Sequence, residues 1–346
     1  MDKILFGDDY MKRIAFFDTK PYDKLYFDRF NEDYDISYFE GKLNKHSAPI
    51  TRGYDAVVAF VNDDINKETI DIMVENNVKV LAMRCSGFSN VDLKAAKDKL
   101  KVVTVPAYSP YTVAEHAMAL LLTLNRKIHK AYNRTRDFNF SLNGMTGFLL
   151  RGKTVGVIGT GKIGQAFIEV CGGFGVNIIA YDPYPVENSG INYVSLEYLL
   201  KNSDIISLHC PLTEQSYHIL DREAFGLVKD GVYIVNTSRG ALVDTEALLE
   251  ALNTEKVGGA ALDVYEEESD FFFEDFSGIV INDDMLSLLI SHPHVLMTAH
   301  QAFLTDDALI TIAKTTYDNL SDVLSGEKCK NEVVYHEPKK EAKSSK

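Results

Sequence analysis

The chain has 346 residues, 46% of them hydrophobic and 25% charged, which is material for two globular domains with cores of their own. Fifty acidic against 36 basic side chains leave a formal net charge of −14, which argues against a nucleic-acid backbone or an anionic membrane as the main partner. Cys85, Cys171, Cys210 and Cys329 form no CxxC pair, so neither a metal site nor a redox motif is expected, and a reducing, cytoplasmic setting is.

Met1–Tyr10 carries only the apolar stretch Ile4–Phe6 before Asp8 and Asp9. It does not read as a signal peptide and is a candidate for a disordered or non-native leader. Strands are then predicted at Ile14–Asp18, Ile36–Phe39, Ala56–Val61, Val80–Arg84 and Val102–Val105. Helical patterns fall near Tyr22–Asn31, Lys67–Glu75 and Asp92–Lys99. Unbroken apolar strands joined by crossover helices specify a parallel sheet buried on both faces. Pro106 and Pro110 interrupt the pattern. A long helix follows, with Thr112 and Glu115 spaced as a capping box and Val113, Ala117, Leu121, Leu124 and Ile128 on one face. Its most apolar run, Ala117–Leu122, is far short of a bilayer span.

At Thr154 the pattern restarts. Strands are expected at Val155–Ile158, Ile178–Tyr181, Ile205–His209, Tyr233–Asn236, Ala260–Val264 and Val295–Thr298, then an amphipathic helix over Asp306–Leu324 and a charged, disordered tail from Glu337. The reading is α/β, with two Rossmann-like doubly wound parallel-sheet domains and the active site in the cleft between them. Chain order returns the last helix to the first unit. The domains are therefore expected at 1–109 plus 303–346 and at 110–302.

Gly159-Thr160-Gly161-Lys162-Ile163-Gly164 is GxGxxG between a strand and a helical pattern starting at Gln165. Gly159 permits the tight turn, Gly161 lets backbone approach a pyrophosphate, and Gly164 allows close helix–strand packing. Asp182 ends the next strand, where an acid hydrogen-bonds an adenosine ribose. No Lys or Arg follows in 183–187 to meet a 2′-phosphate, so NAD is the expected cofactor.

Three polar residues follow the later strands: Arg239, Glu268 and His300. An Arg can grip a carboxylate and polarise the adjacent carbonyl, and a His can deliver a proton. A Glu bonded to that His would fix its tautomer and favour the protonated ring. Singly, each reads better as a surface ion pair or a satisfied polar group.

Thr154–Gly164, Val235–Asp244, Gly259–Glu268 and Thr298–Phe303 resemble the D-isomer-specific 2-hydroxyacid dehydrogenases. Arg84–Asp92, Val105–Pro110, Asn125–Leu142 and His300–Thr305 are similar to their fermentative D-lactate branch. The resemblance spans about Met11 to Val334. It implies NAD-dependent interconversion of pyruvate and D-lactate, with Arg239 on the substrate, His300 as acid/base and Glu268 as its partner. It also implies that the Ser86 and Gly87 amides and the Tyr108 hydroxyl hold the substrate carboxylate. Around the cofactor it adds Lys162, Ile163, Cys210, Pro211, Ser216, Thr237, Ser238 and Asp263. Where many relatives have Pro after the Glu, this chain has Ser269 and an insertion-like Phe271–Phe276, as the lactate branch does.

His116, His209 and His218 read as packed or helix-surface residues, and His292 and His294 lack a third metal ligand. Arg126, Lys127, Lys130, Arg134 and Arg136 read as a solvated helix face or a subunit contact, and the phenylalanines of 271–276 as buried against a neighbouring domain or subunit. The long helix after Thr112 points to a homo-oligomer, dimer or tetramer. Two rivals stand beside the lactate reading: a dehydrogenase for a bulkier 2-hydroxy acid, and an NAD-sensing scaffold or co-repressor on the same fold.

Overall fold

In a computed structural model, residues 11–335 are described; the leader expected at Met1–Tyr10 and the tail expected from Glu337 lie outside them. The chain divides into two compact units, one running to Tyr108 and resuming at Thr305, the other spanning Ser109–Leu304.

In the first unit the order is β1 (Lys12–Phe16), α1 (Pro21–Phe30), β2 (Tyr34–Tyr38), β3 (Ala56–Ala59), α2 (Lys67–Glu75), β4 (Val80–Met83), α3 (Leu93–Ala96) and β5 (Lys101–Val103). The five strands pair in the order β2-β1-β3-β4-β5, every pairing parallel. β3 and β4 are buried along their whole length, the mark of a sheet covered on both faces.

The second unit holds α4 (Pro110–Arg126), α5 (Ile128–Arg136), β6 (Thr154–Ile158), α6 (Lys162–Gly172), β7 (Asn177–Tyr181), α7 (Leu196–Asn202), β8 (Ile205–Leu208) and α8 (Arg222–Leu227). β9 (Val232–Asn236), α9 (Thr245–Asn253), β10 (Val257–Leu262), α10 (Asp284–Ser291) and β11 (Val295–Met297) complete it. Its six strands run β11-β10-β9-β8-β6-β7, again all parallel. α4 packs on α6 and β10, so it belongs to this unit's core.

The chain returns to the first unit in α11 (Asp306–Ser325), which packs on α1 and β4. Thr305 caps it by accepting from the Ala308 N–H, and Gly326 ends it in the left-handed region. The Tyr317 hydroxyl donates to Phe27 O at 2.8 Å, and its ring stacks on Tyr34 at 5.6 Å. Buried Asn319 donates to Thr104 O at 2.8 Å and accepts from Asn331 Nδ2 at 2.8 Å.

All eleven expected strands are present, each within a few residues of its expected ends. Arg84 and His209, expected as strand residues, still donate to the neighbouring strand, so those boundaries are frayed ladder ends. Three local expectations fail. The helix after Pro106 begins at Pro110, whose fixed φ and missing N–H suit a first turn; Thr112 is therefore inside the helix and caps nothing as a capping box. That helix ends at Arg126 because Lys127 turns left-handed (φ 53°), and Ile128 opens α5 exposed instead of extending the apolar face. The helix expected over Asp92–Lys99 is one turn, since Asp98 (φ 60°) must redirect the chain into β5.

Replacing Asn319 with Ala leaves the Thr104 carbonyl without its buried donor. The variant is expected to lose about 2–3 kcal/mol in urea denaturation. An unchanged midpoint would mean that α11 is not tied down there.

Candidate active site

Gly159 follows β6 with φ 92°, and a Cβ on it would overlap the backbone of His209 and Cys210. The turn therefore lies where the winding reverses between β6 and β8, the position at which open α/β sheets bind ligands. A Cβ on Gly164 would overlap the Gly159 carbonyl, whereas nothing lies within 4 Å of one on Gly161. Gly161 is thus the bare position through which a ligand can approach backbone. Side chains of Asn66, Asp92, Ser195, Asp221, Asp244, Asp283 and Thr305 cap seven helices, whereas α6, like α4 and α5, has no side-chain cap. Its first N–H groups, beside exposed Lys162 and half-buried Ile163, remain available to an anion.

Asp182 stands half-buried after β7. Its Oδ2 accepts from the Thr160 amide at 2.7 Å and hydroxyl at 3.0 Å, and its Oδ1 from the Tyr184 amide at 2.8 Å. It therefore shapes the glycine turn as well as marking its rim. Across the turn, burial pushes the Cys210 thiol up to about 11, so it is an inert apolar wall at neutral pH. Ser216 Oγ donates to Pro211 O at 2.7 Å and accepts from the Thr213 amide at 2.8 Å, folding the turn after β8. Ser238 Oγ donates to Cys210 O at 2.6 Å. Thr237 is buried, and its hydroxyl has no hydrogen-bond partner among the described residues. A bare glycine, an uncapped helix start and an orphaned hydroxyl together fit a dinucleotide.

The polar residues after β9, β10 and β11 converge. Buried Asn236 accepts from the Ser238 amide at 3.0 Å and donates to Arg239 O at 2.9 Å, which folds the turn presenting half-buried Arg239. A Cβ on Gly240 would overlap the Tyr265 carbonyl, so this turn lies directly on the Tyr265–Glu266 backbone. Glu268 Oε2 accepts from the Tyr265 amide at 3.0 Å, and its Oε1 is 2.7 Å from His300 Nδ1. With Nδ1 held, Nε2 is the ring atom left for a substrate.

His300 occupies the left-handed region (φ 51°), a strain of about 1–3 kcal/mol for a non-glycine residue. Its amide donates to Asp263 O at 2.7 Å. Asp263 is fully buried, and its carboxylate accepts from Thr298 Oγ1 (2.5 Å) and the amides of Gln301 (2.9 Å) and Ala302 (2.8 Å). His116 Nε2, on α4, lies 3.3 Å from both Asp263 Oδ1 and Thr298 Oγ1. Burial alone would raise the Asp263 carboxyl, but the bonds from His116, Thr298 and Gln301 hold it below the usual carboxylate range. Asp263 thus ties the loop that carries His300 through Thr298, Gln301 and Ala302, and faces His116 on α4.

Asn236, Thr298 and His116 were missed as site residues. No periodicity links them to the site, because each acts through a partner that only the fold brings near. The phenylalanine segment was misplaced: Phe272 is buried in its own unit's core, and the Phe273 ring lies 5.8 Å from the His300 ring. Ser86, Gly87 and Tyr108 belong to the first unit. Ser86 is exposed and Gly87 half-buried, in a turn where Cys85 Sγ donates to Gly87 O at 3.2 Å. Among the described residues no cluster of three or more His, Cys, Asp or Glu could hold a metal, and no helix is long and apolar enough to cross a membrane.

His209 is packed against Phe167 behind the glycine turn, and burial pushes its ring down to about 3. The neutral ring is favoured in the fold, so its contribution is complete above the unfolded value near 6.5 and is lost as pH falls toward 3. Stability should drop by up to about 1.4 kcal/mol per pH unit across that window. His209→Gln should flatten the slope in urea titrations at stepped pH, and an unaltered slope would place the titration elsewhere.

Residues 118–302 match the family model described as "D-isomer specific 2-hydroxyacid dehydrogenase, NAD binding domain". The chain is 51% identical to D-lactate dehydrogenase of Escherichia coli K12, over 93% of this chain and 100% of that protein. A 2-hydroxyacid dehydrogenase homolog of Haemophilus influenzae is 49% identical, over 93% of this chain and 99% of its own. The apo-structure of D-lactate dehydrogenase from E. coli superposes with a TM-score of 0.86 at 48% identity, covering 93% of this chain and 100% of the other. The pyruvate reductase of Chlamydomonas reinhardtii superposes with a TM-score of 0.87 at 40% identity, covering 93% and 98%. The chain belongs to the D-isomer-specific 2-hydroxyacid dehydrogenases, NAD-dependent oxidoreductases acting on small hydroxy acids.

Proposed function

We propose that this enzyme interconverts pyruvate and D-lactate. The observation that carries the reading is the Glu268–His300 pair, which fixes one imidazole nitrogen and leaves Nε2 as a proton donor. The names of the E. coli and C. reinhardtii relatives support pyruvate as the acid reduced. NADH held at the glycine turn would supply the hydride for the keto carbon. His300 Nε2 gives the proton to the carbonyl oxygen, and Glu268, 2.7 Å from Nδ1, holds the ring for that transfer. Arg239 pairs with the substrate carboxylate and draws density from the adjacent carbonyl. The Ser86 and Gly87 amides and the Tyr108 hydroxyl add donors to the same carboxylate.

For the cofactor, Gly159, Gly161, Lys162, Ile163 and Gly164 would hold the pyrophosphate and Asp182 the ribose hydroxyls. Cys210, Pro211, Ser216, Thr237 and Ser238 would line the remaining wall, with Asp263 behind it. In domain terms, residues 110–302 bind NAD, and 1–109 with 303–346 bind substrate. A cytoplasmic location fits four cysteines that form no disulfide.

Assays of NADH oxidation at 340 nm with pyruvate, 2-ketoisocaproate and hydroxypyruvate test the reading, with product chirality checked. Fast turnover of pyruvate to D-lactate is expected. Preference for a bulkier acid would replace the substrate, and NADH binding without turnover would favour a sensor. His300→Ala should lower kcat by about 10²–10⁴-fold with NADH affinity kept. Near wild-type turnover would remove His300 from the chemistry.

The enzyme is further proposed to be a homo-oligomer. Phe138, Phe140, Leu142 and Leu149, in the segment after α5, are 71–83% exposed, an apolar surface that fits a second copy of this chain. Phe140→Asp with Leu142→Asp should shift the mass seen by light scattering from oligomer to monomer. A wild-type monomer would refute the assignment.

A further inference from the structure

The first unit's sheet is wound like the second's, so its ligand crevice should lie between the ends of β1 and β3. Protein fills it. Arg84, the residue after β4, is 2% exposed. Its Nε and Nη2 donate to the two carboxylate oxygens of Asp23, each at 3.1 Å, and Nη2 also donates to Asp18 O at 2.6 Å. The guanidinium carbon lies 4.2 Å from the Phe60 ring centroid and 5.1 Å from that of Phe16. One side chain thereby joins the ends of β1, β3 and β4 to the first turn of α1.

A second anchor follows. Asn90 Nδ2 donates to Phe60 O at 3.0 Å and to Asp63 O at 2.8 Å. Asp63 is itself buried and accepts from the Phe60 and Leu43 amides, each at 2.6 Å. The corner at Phe60–Asp63 is therefore rigid, and residues 85–89 are fixed to it at both ends: by Arg84 stacked on Phe60, and by Asn90 bonded to its carbonyl. Exposed Ser86 and half-buried Gly87 lie between the anchors.

We propose that Arg84 and Asn90 are positioning residues that set affinity for the substrate carboxylate by holding the Ser86 and Gly87 amides in a fixed direction. The proposal rests on the reading of those two amides as carboxylate donors. A turn free to move would lose conformational entropy on binding, and a clamped one does not. Lysine cannot replace Arg84, because a point charge neither grips both Asp23 oxygens nor stacks between two rings. Arg84 and Asn90 bond within the first unit's corner, so the expected effect is on substrate binding.

The test uses the full-length enzyme with Asn90→Ala, Asn90→Asp and Arg84→Lys, and Ser86→Pro to remove one amide donor. KM for pyruvate, inhibition by oxamate (an isostere of pyruvate), kcat and NADH affinity are measured. In the Asn90 and Arg84 variants, KM and the oxamate constant should rise together by about tenfold or more, with kcat changed by less than about threefold and NADH affinity kept. Asn90→Asp should exceed Asn90→Ala, since it turns a carboxylate toward two carbonyl oxygens. Unchanged KM and oxamate constants in the folded variants, or a loss confined to kcat or NADH affinity, would overturn the proposal. If Ser86→Pro raises both constants while the others do not, only the clamp is wrong. If Ser86→Pro leaves both unchanged, the carboxylate reading is wrong and the clamp with it. Should Arg84→Lys fail to fold, the two Asn90 variants decide.

Discussion

A single buried carboxylate organises the catalytic end of the second unit. Asp263 sits at the end of β10 and receives Thr298, Gln301 and Ala302 from the loop after β11, while His116 approaches it from α4. A buried carboxylate is costly unless its oxygens are well bonded, and here the bonds outweigh that cost. The same bonds keep His300 in a strained backbone conformation, from which its Nδ1 meets Glu268. The orientation of His300 is thus imposed by the carboxylate behind it and by Glu268 on its Nδ1.

The two units treat one topology in opposite ways. Both sheets reverse their winding beside the first strand, and both should present a crevice there. In the second unit Gly159 brings the chain close to Cys210, Gly161 leaves backbone bare, and α6 starts without a cap. In the first unit Arg84 occupies the corresponding place, paired with Asp23 and stacked between aromatic rings. A buried ion pair of this kind adds little net stability, yet breaking it from one side costs about 3–5 kcal/mol. Its effect is to fill the crevice with protein and to fix the turns at its rim.

Periodicity made much of this legible. Strands buried on both faces are continuous apolar runs, and every one of them could be read with its neighbours. The glycine turn was legible because each glycine answers a different steric demand, and Gly159, Gly161 and Gly164 meet three different surroundings. Arg239, Glu268 and His300 could be placed after strand ends from spacing and given candidate roles from their chemistry, but only the resemblance favoured those roles over surface ion pairs or satisfied polar groups. What stayed hidden depends on contacts between distant segments. His116 and Asp263 are far apart in sequence, and a histidine on an apolar helix face carries no sign of its partner. Local misreadings have local causes: Pro110 started a helix before Thr112 could, and Lys127 and Asp98 turned left-handed where periodicity assumes none.

Glycine and asparagine do complementary work around the polar turns. Gly240 lets the Arg239 turn lie against the Tyr265–Glu266 backbone, and any side chain there would push Arg239 away from the segment that carries Glu268. Asn236 then folds the same turn from beneath, bonding residues 238 and 239 through both ends of its amide. Asn90 does the same for the first unit, bonding two carbonyls from one nitrogen. An amide side chain suits this task because it satisfies backbone groups without bringing a charge that would need a counter-ion of its own. The uncharged amides of Asn236 and Asn90 thus fix the backbone that carries Arg239 and residues 85–89.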